Sequence, residues 1–285
     1  MVHSRHTLLG HGPLLFHHIA VIIAAKVCYN FIKKMIYHSP LPRLVEELKP
    51  KAFAVDVDGT ITEDGGVVNL EAVFALRWME KFGLRVILTS GRTPLELFAL
   101  VIYLGTTRVI VGENGGVVAI SPTTMALLAD RAVCLEAYEI LSKNIEGVKI
   151  KPVFPRFTDV VLERSFDIEA GRRVIEQHNL PVQLNDSKYA YHINQRNISK
   201  ATGLAVALKH LSIDPEDTIA IGDSETDIPM FELCGYSIAL ANAPPEAKLA
   251  AKHVTESGDG EGLVEALNHV AEEFFKAKID RFNQD

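Results

Sequence analysis

The chain has 285 residues, 48% hydrophobic and 23% charged, enough to bury one large core or two modest ones and too apolar for a disordered tail or a fibre. Lysine plus arginine number 29 against 36 aspartate plus glutamate, and a net charge of −7 argues against a nucleic-acid partner held by neutralised phosphates. The charge is uneven: residues 1–51 carry seven basic and two acidic side chains, 122–198 ten of each, and the remainder twelve basic against twenty-four acidic, a local excess of −12.

Cys28, Cys134 and Cys234 are far apart and form no CxxC pattern, so neither a disulfide framework nor a zinc site is expected, and a reducing cytoplasm fits. The first 51 residues read as an extension of unknown role. Its apolar stretch Pro13 to Ile32 has the length of a bilayer span, but His17, His18, Lys26 and Asn30 interrupt it, and the longest unbroken apolar run is Ile19 to Ala25. An interfacial or disordered extension is expected; a membrane anchor and translation starting at Met35 are the alternatives.

From residue 52, short β-rich runs alternate with helical segments, the rhythm of parallel βαβ units. The run Ala52 to Val55 leads into Asp56-Val57-Asp58-Gly59-Thr60. Asn69 reads as the N-cap of a helix that Gly83 terminates, and a strand Arg85 to Leu88 ends in Thr89-Ser90-Gly91-Arg92. Thr93, Pro94 and Glu96 form a capping-box signature for a helix reaching Leu104. Strands Val109 to Val111 and Val117 to Ile120 flank a turn at 112–116. Residues 123–197 then change to helix, strand, helix and two strands, with Asp186-Ser187 as the hairpin turn, which reads as an α+β insertion. The βα rhythm resumes at Ser199, with a strand Thr218 to Ile221, the loop Gly222 to Asp227, a strand Tyr236 to Leu240 and a closing amphipathic helix from Glu261 to Phe282.

Ligand sites in open α/β sheets gather at the carboxyl ends of strands. Here three such ends deliver Asp56 with Asp58, Ser90, and Asp223 with Asp227. Asp56 and Asp58 lie two apart and point to the same side of an extended strand end, an arrangement of like charge that is costly without a cation between them. Four acids with no histidine specify a hard, oxygen-ligand site, for which Mg²⁺ is the natural occupant. Gly59 and Gly222 suit tight turns beside it. Glu113-Asn114-Gly115 reads either as a turn or as a support for the site, and Arg92 either as a substrate contact or as a structural ion pair.

Asp56-Val57-Asp58-Gly59-Thr60, Ser90, Lys200 at a helix start and Gly222-Asp223-Ser224-Glu225-Thr226-Asp227 resemble the four ordered motifs of the haloacid dehalogenase superfamily of phosphatases. The resemblance runs from residue 52 to about 275. It implies a Rossmann-like parallel-sheet core (52–122 and 198–285) carrying an inserted α+β C2 cap (123–197) of subclass IIB. Within the superfamily, the small cap and the continuation Ile228-Pro229-Met230-Phe231 resemble archaeal phosphoglycolate phosphatases.

That resemblance implies a phosphoric monoester hydrolase in which Asp56 is the nucleophile that forms an aspartyl-phosphate and Asp58 the general acid and base. It implies Mg²⁺ held by Asp56, Asp223, the Asp58 backbone carbonyl and Asp227, with Ser90 and Lys200 on the phosphate. The expected substrate is 2-phosphoglycolate, with Arg156, Arg164, Lys188, His192 and Arg196 as cap candidates for its carboxylate, Arg164 and His192 foremost. A sugar-phosphate or mannosyl-3-phosphoglycerate phosphatase is the enzymatic alternative, and a phosphate-binding regulatory protein without activity the alternative of another class. Oligomeric state is not encoded in any feature of the sequence.

Overall fold

The computed structural model describes residues 49–187, 189–277 and 279. The expectations for the N-terminal extension, for Cys28 and Met35 and for Lys188 lie outside the described residues. Among the described residues no helix is long and apolar enough to cross a membrane.

The large sheet is built from β1 (Ala52–Val55), β2 (Arg85–Thr89), β3 (Ile110–Gly112), β4 (Val117–Ser121), β5 (Thr124–Leu127), β9 (Thr218–Gly222), β10 (Tyr236–Ala239) and β11 (His253–Val254). Its order is β11-β10-β9-β1-β2-β3-β4-β5, parallel from β11 to β3 and antiparallel at β3-β4-β5. The chain therefore winds outward from β1 in both directions, and β1 lies at the switch point where a ligand crevice opens. Val55 pairs with Leu88 of β2 and with Ile221 of β9, so the residues that follow these three strands emerge side by side at one edge.

Side chains alternate across this sheet. Phe53, Val55, Leu88, Ile219 and Ile221 pack under α1 (Leu70–Lys81), α2 (Pro94–Leu104) and α8 (Asp259–Phe275). Ala52, Ala54, Ile87 and Ala220 pack on the opposite side with α5 (Lys200–Leu211), α6 (Ile228–Leu233) and α7 (Pro245–Ala250). Period-two alternation with apolar residues at both parities is what a sheet covered on both faces requires. The helix starts follow their sequence signals. Asn69 accepts the Ala72 N–H at 2.9 Å, and Thr93 and Glu96 complete a reciprocal capping box ahead of Pro94.

Between β5 and α5, α3 (Arg131–Asn144) and α4 (Ile168–Gln177) cover an antiparallel sheet ordered β6-β8-β7, formed by Val160–Leu162, Tyr191–Gln195 and Val182–Asp186. Cys134, Leu141, Leu162, Ile175, Leu184 and Ile193 make its separate apolar core. The other parity of the two longer strands carries Gln183, Asn185, His192 and Asn194, a polar face.

Three boundaries differ from the sequence reading. Thr124–Leu127, inside the expected insertion, joins β4 as an edge strand of the large sheet; three of its four residues are exposed and the fourth half-exposed, so there is no buried alternation to read. The hairpin turn lies after Asp186, because Ser187 closes it through its N–H to the Ala190 carbonyl at 3.0 Å and Asp186 still pairs with Tyr191. The last helix stops at Phe275, where Lys276 takes a left-handed φ of 51° and the Ala277 N–H returns to the Ala271 carbonyl.

Candidate active site

Asp56 follows β1 directly, and its N–H donates to the Ile221 carbonyl of β9 at 3.0 Å, so the backbone that carries it is part of the sheet edge. Its side chain is buried, as are those of Asp223 and Asp227 beyond β9. The three carboxylates each offer one oxygen within 4.8 Å of the others. Lys200, the first residue of α5 and 2% exposed, lies among them, with Nζ 2.7 Å from Asp56 Oδ1 and 2.5 Å from Asp227 Oδ1. Burial, reinforced by Asp227 and opposed by Lys200, holds the Asp56 carboxyl well above the usual carboxylate range. Burial acts to lower the Lys200 ammonium, but its ion pairs with Asp227 and Asp56 outweigh it and the group is raised. Both effects describe one imbalance: three buried acids share one ammonium among the described residues.

Asp227 organises the loop as well as contributing charge. Its Oδ2 accepts from the Asp223 N–H at 3.0 Å, the Ser224 N–H at 2.8 Å and the Ser224 hydroxyl at 2.8 Å. That oxygen is saturated, and Oδ1, shared with Lys200, is the atom left to face a ligand. Asp223 is held by the Thr60 hydroxyl and by Asn242, whose amide bridges Asp223 Oδ2 at 3.0 Å and the Gly59 carbonyl at 2.8 Å. Sequence reasoning missed Asn242. The signal was its position just past the end of β10, the same strand-end rule that found the acids. Gly59 has φ +78°, and a Cβ there would stand 2.6 Å from Asp223 Oδ2, so only glycine allows the two strand ends to meet.

The acid set is all oxygen and hard, and three buried carboxylates with one lysine retain an excess of negative charge, so these residues fit a divalent cation such as Mg²⁺. The Asp58 carboxylate is not in that cluster. It is half-exposed and paired with the Arg92 fork at 2.6–3.1 Å. Ser90 is buried beside the acids; its hydroxyl oxygen accepts the Arg92 N–H at 3.1 Å.

The 113–115 loop has a supporting role. Glu113, fully buried, accepts the N–H groups of Phe157 and Thr158 at 2.7–3.1 Å and the Thr158 hydroxyl at 2.7 Å, which ties the inserted segment to the end of β3. Burial, aided by Asp159 and opposed by Arg156, raises its carboxyl. Gly115 has φ +99°, and a Cβ on it would overlap the Ser199 carbonyl at 1.8 Å, so this loop packs directly on the start of the helix that presents Lys200.

The residues expected to read a substrate carboxylate are dispersed. Arg164 pairs with Asp186 at 2.9 Å on the surface, and Arg196 donates to the Leu180 carbonyl. Arg156 is buried against Asp159 at 2.6 Å and donates to the Gly91 carbonyl at 2.7 Å. His192 is buried, with Nδ1 3.1 Å from Asp159 and Nε2 3.1 Å from the Ser187 hydroxyl. Its ring lies over Gly91, the residue after Ser90, where a Cβ would stand 3.5 Å from His192 Cε1.

Residues 53–170 and 173–267 match the haloacid dehalogenase-like hydrolase family. The chain is 44% identical over 225 residues to a protein of Nitrosopumilus maritimus named phosphoglycolate phosphatase, covering 79% of this chain and 97% of that one. Among solved structures it resembles protein 0175 of Thermoplasma acidophilum, with a TM-score of 0.69 and 25% identity over 78% of this chain and 98% of that one. A sugar phosphatase of subclass IIB of the same superfamily shares the fold at a TM-score of 0.64 and 16% identity, over 78% of this chain and 99% of that one.

Proposed function

The chain belongs to the haloacid dehalogenase-like hydrolase family and is a phosphatase, and from that premise we propose that it hydrolyses 2-phosphoglycolate to glycolate and phosphate through an aspartyl-phosphate on Asp56. The observation that carries this reading is the buried cluster at the β1 and β9 ends, in which Asp56 lies against Lys200 and beside Asp223 and Asp227. The substrate rests on the relatives' name and the high coverage of their length.

Asp56 attacks phosphorus as the ester oxygen leaves, and water then releases phosphate from the acyl phosphate; a carboxylate nucleophile divides one hard displacement into two easier ones. Lys200 favours the ionised nucleophile and orients it by its 2.7 Å contact, opposing the repulsion of the neighbouring acids. Ser90 donates its hydroxyl to a phosphoryl oxygen while its own oxygen is held by the Arg92 N–H. Asp58 protonates the leaving oxygen and later takes a proton from water, a task its exposed carboxylate suits and a buried ligand's would not. Asp56, Asp223 and Asp227 would hold Mg²⁺, together with the Asp58 carbonyl, and the ion would supply charge neutralisation between nucleophile and phosphate. Residues 131–195 act as the cap that closes over the ester.

The buried Cys134 and Cys234, unpaired and with thiols pushed up to about 12 by burial, support a reducing compartment such as the cytoplasm. The test of the function is a hydrolysis panel with and without Mg²⁺. Turnover of 2-phosphoglycolate well above that of hexose phosphates and mannosyl-3-phosphoglycerate is expected; no preference would sink the substrate reading, and no turnover of any ester would favour a binding protein.

A further inference from the structure

We propose that Arg92 is the receptor for a carboxylate carried by the leaving group, and that the bound substrate takes this guanidinium from Asp58. The inference rests on the proposed function and deepens it by assigning the specificity contact to the core.

The pair is doubly bonded. Arg92 Nε lies 3.1 and 2.9 Å from the two Asp58 oxygens and Nη2 lies 2.6 Å from Oδ1, with Nη1 3.3 Å from Glu96. Its base is fixed on three sides: the Arg92 N–H is on Ser90 Oγ, the Arg92 carbonyl accepts the Glu113 N–H, and the preceding Gly91 carbonyl accepts from Arg156. Its head is at the mouth of the site, with side-chain exposures of 36% for Arg92 and 46% for Asp58. An anchored stem and an accessible planar fork are what bidentate recognition of a carboxylate requires.

Its location follows from the role of Asp58. A general acid must reach within about 3 Å of the leaving oxygen. A guanidinium bonded to that same carboxylate is then within about 6 Å of the leaving oxygen, two hydrogen-bond lengths away. In a carboxymethyl phosphate the carboxyl carbon is two bonds from that oxygen, so the carboxylate arrives at Arg92. Exchanging Asp58 for the substrate's carboxylate replaces one exposed ion pair by another, and such pairs hold their partners weakly in water. An ester without a carboxylate leaves the Asp58–Arg92 pair in place.

Among the described residues, the candidates within the inserted segment are committed elsewhere: Arg156 to Asp159, Arg164 to Asp186, both His192 nitrogens to Asp159 and Ser187, and Arg196 to a backbone carbonyl.

The experiment is steady-state kinetics of the full chain and its Arg92→Gln and Arg92→Lys variants with Mg²⁺. The substrates are 2-phosphoglycolate, 2-phospholactate and 2-hydroxyethyl phosphate, the last a near-isostere with an alcohol in place of the carboxylate. Losing a charge-assisted fork predicts that Arg92→Gln raises KM for the two carboxylated esters about 10- to 100-fold, with KM for 2-hydroxyethyl phosphate changing less than about 3-fold. Arg92→Lys, which keeps charge but loses the fork, falls between. Equal losses on all three esters, or unchanged KM for the carboxylated ones, would overturn the inference. The unmodified chain tests the parent reading separately. If it prefers 2-phospholactate and Arg92→Gln raises KM for both carboxylated esters but not for 2-hydroxyethyl phosphate, the 2-phosphoglycolate reading fails and Arg92 keeps its role; if it prefers 2-phosphoglycolate and Arg92→Gln affects every ester alike, the reverse holds. Melting curves for both variants confirm that each is folded, and the Lys variant carries the test should the Gln variant fail to fold.

Discussion

At the ends of β1 and β9, Asp56, Asp223 and Asp227 share Lys200, whereas at the junction of the inserted segment Glu113 and Asp159 face Arg156 and His192. Both clusters are buried and both are densely hydrogen-bonded. In the first, three acids oppose one base, and Asp56 is held above the usual carboxylate range. In the second, although burial works to raise Asp159, the His192 hydrogen bond and the Arg156 pair hold its carboxyl below its ordinary value. A network whose acids are each held by close hydrogen-bond partners is a tie that stabilises the fold it sits in; three acids on one ammonium store repulsion that an arriving cation relieves. The junction cluster therefore has the character of a structural tie and the strand-end cluster that of a cation site.

The comparison breaks first at Asp56. Asp56→Asn should lower turnover by roughly 10⁴-fold or more, as expected when a covalent nucleophile is lost. In EDTA the same change should raise the melting temperature, because it removes one of the mutually repelling acids. A lower melting point with activity retained would reverse the assignment of the two clusters.

At the junction the sign is opposite. Asp159→Asn takes from the buried Arg156 guanidinium its 2.6 Å ion pair, leaving Glu113 at 3.8 Å as the nearest acid, and should cost roughly 3–5 kcal/mol, read as a drop in the urea midpoint. An unchanged midpoint would mean that the junction cluster does not hold the fold together.

Mg²⁺ sharpens the contrast. At about 100 times its dissociation constant it should stabilise the chain by about 2.7 kcal/mol in a thermal melt. Asp223→Asn should abolish that gain, while Asp159→Asn, though less stable, should keep it.

The smallest effect is in pH. Asp159 has a lowered carboxyl, so its contribution is present above its ordinary value of 3.8 and is lost as pH falls through the folded value. Glu113 has a raised one, so its ionisation costs stability as pH rises from its ordinary 4.5 through the folded value. The gap in urea midpoint between the unmodified chain and Asp159→Asn should therefore narrow below about pH 4. A gap that widened there would mean that Asp159 is not the stabilising anion.

Much of the fold was legible because its signals are local. The Thr93-Pro94-Glu96 box, the Asn69 cap and the β-rich runs before Asp56, Ser90 and Asp223 each fit within a few residues, and parallel register then brings their ends together. Edge strand β5 was not legible, since exposed residues carry no alternation, and the hairpin turn lies beyond Asp186 because the N–H and the hydroxyl of Ser187, both on the Ala190 carbonyl, close it. The 113–115 loop could be read as a turn or as a support for the site, but not which partners Glu113 holds, since those at 157 and 158 lie more than forty positions away.

The sequence by itself determined the fold class, the strand-end acids and Lys200, because ordered motifs on consecutive βα units leave few ways for an open sheet to arrange them. Tertiary structure alone decided which charges cancel. No signal in the sequence says that Arg92 will meet Asp58, that Arg156 and His192 will both meet Asp159, or that Asn242 will meet Asp223. Burial and hydrogen-bond geometry, which exist only in the folded chain, separate the pairs that hold the molecule together from the cluster left short of positive charge.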